Sequence, residues 1–141
     1  MIEKMEIDGA CLCGDVTWRA TIDPDKVWLC HCTDCQVNSA SPYRYGVRVA
    51  AEDFELLSGE LKVFMKIAES GNRRALSFCP RCGTSIHGGN DGPSEWYSLR
   101  LGGCNQRHDL QPHFEIYRRS ALDWVSPDCE LTSFEMGLPT R

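Results

Sequence analysis

Phe78-Cys79-Pro80-Arg81-Cys82-Gly83-Thr84 is a Cys-x-x-Cys-Gly knuckle. At this spacing one tight turn aims two sulfurs at a single ion, and the glycine lets the backbone close that turn. A tetrahedral shell needs two more ligands. Cys11 and Cys13, in Gly9-Ala10-Cys11-Leu12-Cys13-Gly14, supply a pair at the other end of the chain. A four-sulfur site built from Cys11, Cys13, Cys79 and Cys82 would tie the start of the chain to the late knuckle and hold the fold together.

A third group lies between them. Leu29-Cys30-His31-Cys32-Thr33-Asp34-Cys35-Gln36 packs three thiols into six positions. Seven ligands divide as four and three: closed structural sites use four protein ligands, and catalytic ones keep three and leave a position open. The other pairing, with Cys11 or Cys13 joining the central three, would leave the knuckle short of ligands. Two metal sites per chain are therefore expected, both suited to zinc. Cys30, Cys32 and Cys35 form the open and more easily stripped one. Three thiolates on a dication leave a charge of about minus one, so this site suits a soft ligand. An incoming thiol could take the fourth position as thiolate and serve as nucleophile toward an electrophilic carbon.

Cys104 and Cys129 stand alone and read as ordinary free thiols. The sharper alternative makes Cys104 the fourth ligand of the central site, which would render both metals structural. His31 sits between two ligand cysteines. In an extended Cys-x-Cys segment the middle side chain points away from the metal, so His31 is expected in a supporting or core position.

Around these motifs the chain reads as strands and turns. Val16–Thr21 is β-branched and aromatic, Val27–Leu29 runs into the central cluster, and Tyr43, Tyr45, Val47 and Val49 alternate with Arg44, Gly46 and Arg48. Further strands are expected at Phe54–Leu57, Leu61–Ile67, Ala75–Phe78, Ser85–His87, Trp96–Leu101 and Phe114–Arg118, with glycine-bearing turns between them. One helix is expected, capped by Thr33 or Asp34 and running to about Ala40, with Pro42 ending it. The apolar residues of 120–125 and 134–139 read as a tail packed on the sheets. Arg44, Arg48, Lys66, Arg73, Arg74 and Arg100 read as outward residues on strands or beside turns.

The 141 residues fit one domain, 1–141, of mainly β class. The composition, 42% hydrophobic and 25% charged, is that of a globular protein. A formal net charge of -5 argues against a nucleic-acid surface. The first residues lack an apolar signal region and no run approaches a membrane span, so a cytoplasmic location is expected. There, nine cysteines favour metal over disulfides.

The chain resembles the glutathione-dependent formaldehyde-activating enzyme family, whose domain is shared with centromere protein V. The residues that carry the likeness are Gly9-x-Cys11-x-Cys13-Gly14-x-Val16, Cys30-His31-Cys32-x-x-Cys35, Ser70-Gly71 and Phe78-Cys79-x-x-Cys82-Gly83-Thr84. Fainter echoes follow in Pro112-His113-Phe114-x-Ile116-Tyr117 and Ser120-Ala121-Leu122-Asp123-Trp124. The resemblance implies a β-tent-like fold of small antiparallel sheets around zinc. It also implies a structural four-cysteine site, and a catalytic three-cysteine site at which glutathione adds to formaldehyde, formally a carbon-sulfur lyase reaction run in reverse. Where family members commonly carry a glycine a few positions after the central cluster, this chain has Val37-Asn38-Ser39-Ala40-Ser41. Centromere protein V also suggests an alternative, a non-catalytic zinc-stabilised module that binds a protein.

Overall fold

A computed structural model describes residues 3–68, 70–125, 132 and 134–136; Cys129 lies outside them. Among the described residues there are ten strands and one α-helix. In chain order they are β1 (Met5–Ala10), β2 (Thr17–Ile22), β3 (Val27–Cys30), α1 (Thr33–Ser39), β4 (Arg44–Ala50), β5 (Phe54–Ser58), β6 (Lys62–Ile67), β7 (Arg73–Phe78), β8 (Ser85–Asn90), β9 (Trp96–Arg100) and β10 (Phe114–Ile116). The fold is mainly β, as expected. One sheet is antiparallel with order β1-β2-β5, and the other has order β10-β3-β4-β9-β8-β7-β6. Every pair in the larger sheet is antiparallel except β10 beside β3, which is parallel. Among the described residues no helix is long and apolar enough to cross a membrane.

The two sheets share one core. Ile7, Trp18 and Ile22 of the smaller sheet and Val47, Ile86 and Leu99 of the larger one are buried together. Alternation explains β2, where Trp18, Ala20 and Ile22 face in and Arg19 faces out. β1 was not expected. Its Ile7 and Gly9 are buried, but Glu6 and Asp8, which alternate with them, have low strand propensity and dilute the signal.

Strand β8 runs past His87 through Gly88 and Gly89, which in the sequence read as a turn. A Cβ at Gly88 would lie 3.0 Å from Arg100 Nη2, and one at Gly89 would lie 2.8 Å from Ser94 Oγ and 3.1 Å from the Tyr97 ring. Glycine serves here for close approach rather than for a bend. Strand β10 stops at Ile116, short of the expected Arg118, because Tyr117 takes a left-handed conformation at φ 55°. Of the apolar tail residues that are described, Trp124, Phe134 and Met136 are exposed rather than packed on the sheets; residues 126–131, 133 and 137–141 lie outside the described residues.

Helix α1 begins one residue earlier than its expected caps imply. Cys32 is its N-cap, with Sγ accepting from Cys35 N–H at 3.3 Å. At the other end Ala40 sits at φ 52°, ψ 43°, and its N–H reaches Gln36 and Val37 carbonyls. This is the left-handed cap that glycine adopts freely and other L-residues adopt at a cost of about 1–2 kcal/mol. Ala40→Gly should therefore raise stability by roughly 0.5–1 kcal/mol, after glycine's greater unfolded-state entropy is counted. A higher urea midpoint at unchanged slope is the expected result; an unchanged or lower midpoint would show that Ala40 carries no strain.

Candidate metal centres and their cavity

Two clusters of cysteine could each hold a metal ion. One joins Cys11 and Cys13, which follow β1, to Cys79 and Cys82, in the turn between β7 and β8; the other joins Cys30, Cys32 and Cys35. Within each, all sulfurs lie within 4.8 Å of one another. A tetrahedral zinc with sulfurs at about 2.3 Å requires neighbouring sulfurs about 3.8 Å apart. Cys11 and Cys13 sulfurs stand 3.5 Å apart, and those of Cys13 and Cys79 stand 3.8 Å apart. The donor set fits the ion.

Hydrogen bonds hold this first cluster in shape. Gly83 at φ 80° closes the knuckle, donating to Cys79 O at 2.8 Å, while Cys79 N–H donates to Thr84 O at 2.9 Å. Val16 N–H donates to Cys11 Sγ at 3.2 Å. The Thr84 hydroxyl lies 3.2 Å from Cys82 Sγ and accepts from Leu12 N–H at 3.1 Å, so it ties the two halves together. That hydroxyl, with backbone N–H donors, holds the Cys82 thiol down to about 5, favouring the thiolate that ligates metal.

The second cluster sits where β3 passes into α1. Cys30 is the last residue of β3, Cys32 caps the helix and Cys35 lies in its first turn. Strand register places Arg44 of β4 directly opposite Cys30. Arg44 Nε donates to Cys35 Sγ at 3.3 Å, and Nη2 donates to Asn38 Oδ1 at 2.7 Å. The Cys35 thiol falls to about 5, first through its hydrogen bond with Cys30 and then through Arg44, while the same bond pushes Cys30 up. Within the pair the thiolate form is favoured at Cys35, beside the Arg44 guanidinium, and disfavoured at Cys30.

Neighbouring segments fix this loop without joining the sulfurs. His31 is fully buried, and its Nε2 lies 2.9 Å from the Glu115 carboxylate of β10. Its backbone N–H donates to Ile116 O, and Gln36 Nε2 bridges the carbonyls of His31 and Ser120 at 2.7 and 2.9 Å. The supporting place expected for His31 is the one it occupies. Cys104 stands apart from both clusters, against the alternative that made it a fourth ligand. It pairs with Gly9 across a single bridge and its S–H points to Gln106 Oε1 at 3.5 Å.

The three-cysteine cluster opens on a cavity of about 910 Å³. Its floor is one face of the larger sheet, where register sets Cys30 opposite Arg44, Trp28 opposite Gly46, and Gly46 opposite Arg100. This corrects the outward reading of two arginines. Arg44 is 4% exposed, and Arg100 lines the same cavity. Alternation does put Arg44, Gly46 and Arg48 on one face, but α1 and the loop around it cover the Arg44 end and leave Arg48 exposed. Lys66 also lines the cavity, bound at 2.7 Å to Asp34 of α1.

A profile of the glutathione-dependent formaldehyde-activating enzyme family matches residues 6–120. The chain belongs to this family. Among curated proteins no sequence matches it. A Rhodobacter sphaeroides protein of known crystal structure, a structural-genomics target, is similar in fold at a TM-score of 0.57 and 18% identity; the match covers 77% of this chain and 98% of that one. Family membership suggests glutathione-dependent formaldehyde activation, and the two cysteine clusters are consistent with zinc.

The three-sulfur cluster should release metal before the four-sulfur one, since it supplies one protein ligand fewer. With it stripped by a mild chelator, Cys35 should be the first thiol alkylated by iodoacetamide. Because its pKa in the fold is depressed to about 5, Cys35 is thiolate well below the ordinary thiol range of about 8.5; its lead over other thiols is lost as pH falls through about 5 and closes as pH rises into that range. Arg44→Gln should shift the alkylation profile of Cys35 to higher pH, while Cys104, raised by burial, stays slow throughout. Peptide mass mapping across pH reads both; an unshifted profile for Cys35 would show that Arg44 does not stabilise its thiolate.

Proposed function

We propose that this chain is a single zinc-dependent domain of the carbon-sulfur lyase type, acting in the cytoplasm. It binds a thiol such as glutathione at Cys30, Cys32 and Cys35 and adds it to, or releases it from, a small electrophile such as formaldehyde. The observation that carries this reading is the position of the three sulfurs: they sit in the wall of a recessed cavity rather than enclosed in protein. Cys11, Cys13, Cys79 and Cys82 are proposed to hold a second, structural zinc. A recessed cavity with converging cations favours a small-molecule site over a flat protein-docking face.

A zinc held by Cys30, Cys32 and Cys35 would offer a fourth position that suits a soft thiolate. Arg44 offsets the charge that the three sulfurs bring together, through its bond to Cys35. The Cys32 cap and the Gln36 bridge keep the sulfurs in one arrangement as the cavity fills. In the addition, the sulfur of the thiol forms a bond to the carbonyl carbon and the thiol's proton ends on the carbonyl oxygen, giving a hydroxymethyl thioether. The cavity walls hold the two reactants together, which converts an encounter in solution into a reaction between oriented neighbours.

The test uses ¹³C-formaldehyde with glutathione, followed by exchange spectroscopy of the free and thiol-bound carbon. The zinc-loaded protein should accelerate their interconversion, and Cys32→Ser should abolish the acceleration while circular dichroism shows the β fold retained. Equal rates with native protein, Cys32→Ser and buffer would overturn the enzymatic reading for this substrate pair.

A further inference from the structure

The cavity beside the three cysteines holds more positive charge than those sulfurs require. Arg44, Lys66, Arg74, Arg100 and Arg119 line it, against one carboxylate, Asp34, which Lys66 already engages at 2.7 Å. Arg44 and Arg74 have polar side-chain partners, Asn38 and Asn90, at 2.7 and 2.9 Å. Arg100 is placed differently. Its Nη1 donates only to the Ser98 carbonyl at 3.0 Å, and its Nε is buried with no hydrogen-bond partner among the described residues.

The sheet explains how this guanidinium is aimed. Arg100 is opposite Gly46 in β4, and Arg44 lies two residues along that strand, so the two arginines are diagonal neighbours on the cavity face. Gly88 of β8 leaves room beneath: a Cβ there would come within 3.0 Å of Arg100 Nη2. Burial first, and then the like charge of Arg44, lower the Arg100 guanidinium to about 9. Two cations held side by side in a recess, one with an unmet donor, are relieved by an oxyanion placed between them.

We propose that Arg100, together with Arg44, forms a carboxylate subsite on the cavity floor, so that the thiol accepted at the three cysteines is one that carries an acid group. This deepens the thiol-transfer reading and names the part of the substrate it selects. A neutral thiol of similar size leaves the Arg100 donor unmet and is discriminated against. Arg100 thus acts as a specificity residue, touching the acid group of the substrate rather than its sulfur.

The experiment is calorimetric titration of the zinc-loaded protein with S-methylglutathione, which keeps both carboxylates and lacks a free thiol, and with its dimethyl ester. The acid should bind roughly ten- to a hundredfold tighter than the ester, the span of one or two charge-assisted hydrogen bonds. Arg100→Gln should remove most of that difference, Arg100→Lys should restore part of it, and Arg48→Gln, on the exposed end of β4, should leave it unchanged. Equal binding of acid and ester to the native protein would overturn the subsite without recourse to any variant. So would a loss in Arg100→Gln that falls equally on both probes. If the acid outbinds the ester while glutathione's own sulfur never reaches the cysteines, the subsite stands and the thiol-transfer reading fails.

Discussion

Cys13 and Cys79, 66 residues apart in sequence, meet sulfur to sulfur at 3.8 Å, and the rest of the structure depends on that meeting. The N-terminal turn belongs to the smaller sheet and the knuckle to the larger, so a metal held by these four sulfurs would fasten one sheet to the other. Apolar packing reinforces the junction. Cys11 and Cys79 are buried in the same core as Trp18, Ile86 and Leu99. The loop after β9 completes it, because the Asp8 carboxylate accepts from Asn105 and Gln106 at 3.0 and 2.9 Å. A chain of this size buries enough apolar surface to fold, but a metal bound only by the folded form adds its binding energy to that of the core.

With the sheets fixed, the second cluster needs no rigid element of its own. A strand end and one short helix bring Cys30, Cys32 and Cys35 together, and segment 114–120 braces the loop through His31 and Gln36. The division of labour follows from ligand number and place. Four sulfurs join distant parts of the chain and are partly enclosed; three sulfurs lie within one local turn, beside open volume. The face that carries them also carries Arg44 and Arg100, so the proposed thiol site and the proposed carboxylate subsite would share one side of one sheet.

Much of this was legible in the residues. Cys-x-x-Cys-Gly and Cys-x-Cys are local patterns, and with the number of ligands that a closed and an open site require they predict the four-and-three grouping that the geometry brings together. The strands with clean alternation, β2 and β4, were equally plain. What escaped notice was whatever depends on register or on packing between strands. Arg44 reads as an outward residue until β3 is seen to place Cys30 opposite it. Gly88 and Gly89 read as a turn until Arg100 and Tyr97 are seen filling the space where side chains would be. The hidden β1 and the parallel partner β10 are of the same kind, since acidic residues mask the first and only three residues define the second. The helix cap was missed for a different reason: a thiol took the role that Thr33 or Asp34 usually performs.

The most direct measurement is X-ray absorption at the zinc edge on the loaded protein, with and without glutathione, for the native chain and for Cys32→Ser. Two zincs per native chain are expected, averaging fewer than four sulfurs each, with the average rising to four when glutathione is added and no such rise in Cys32→Ser. Two zincs already at four protein sulfurs each, unchanged by glutathione, would contradict an open three-cysteine centre and leave the chain a zinc-stabilised binding module.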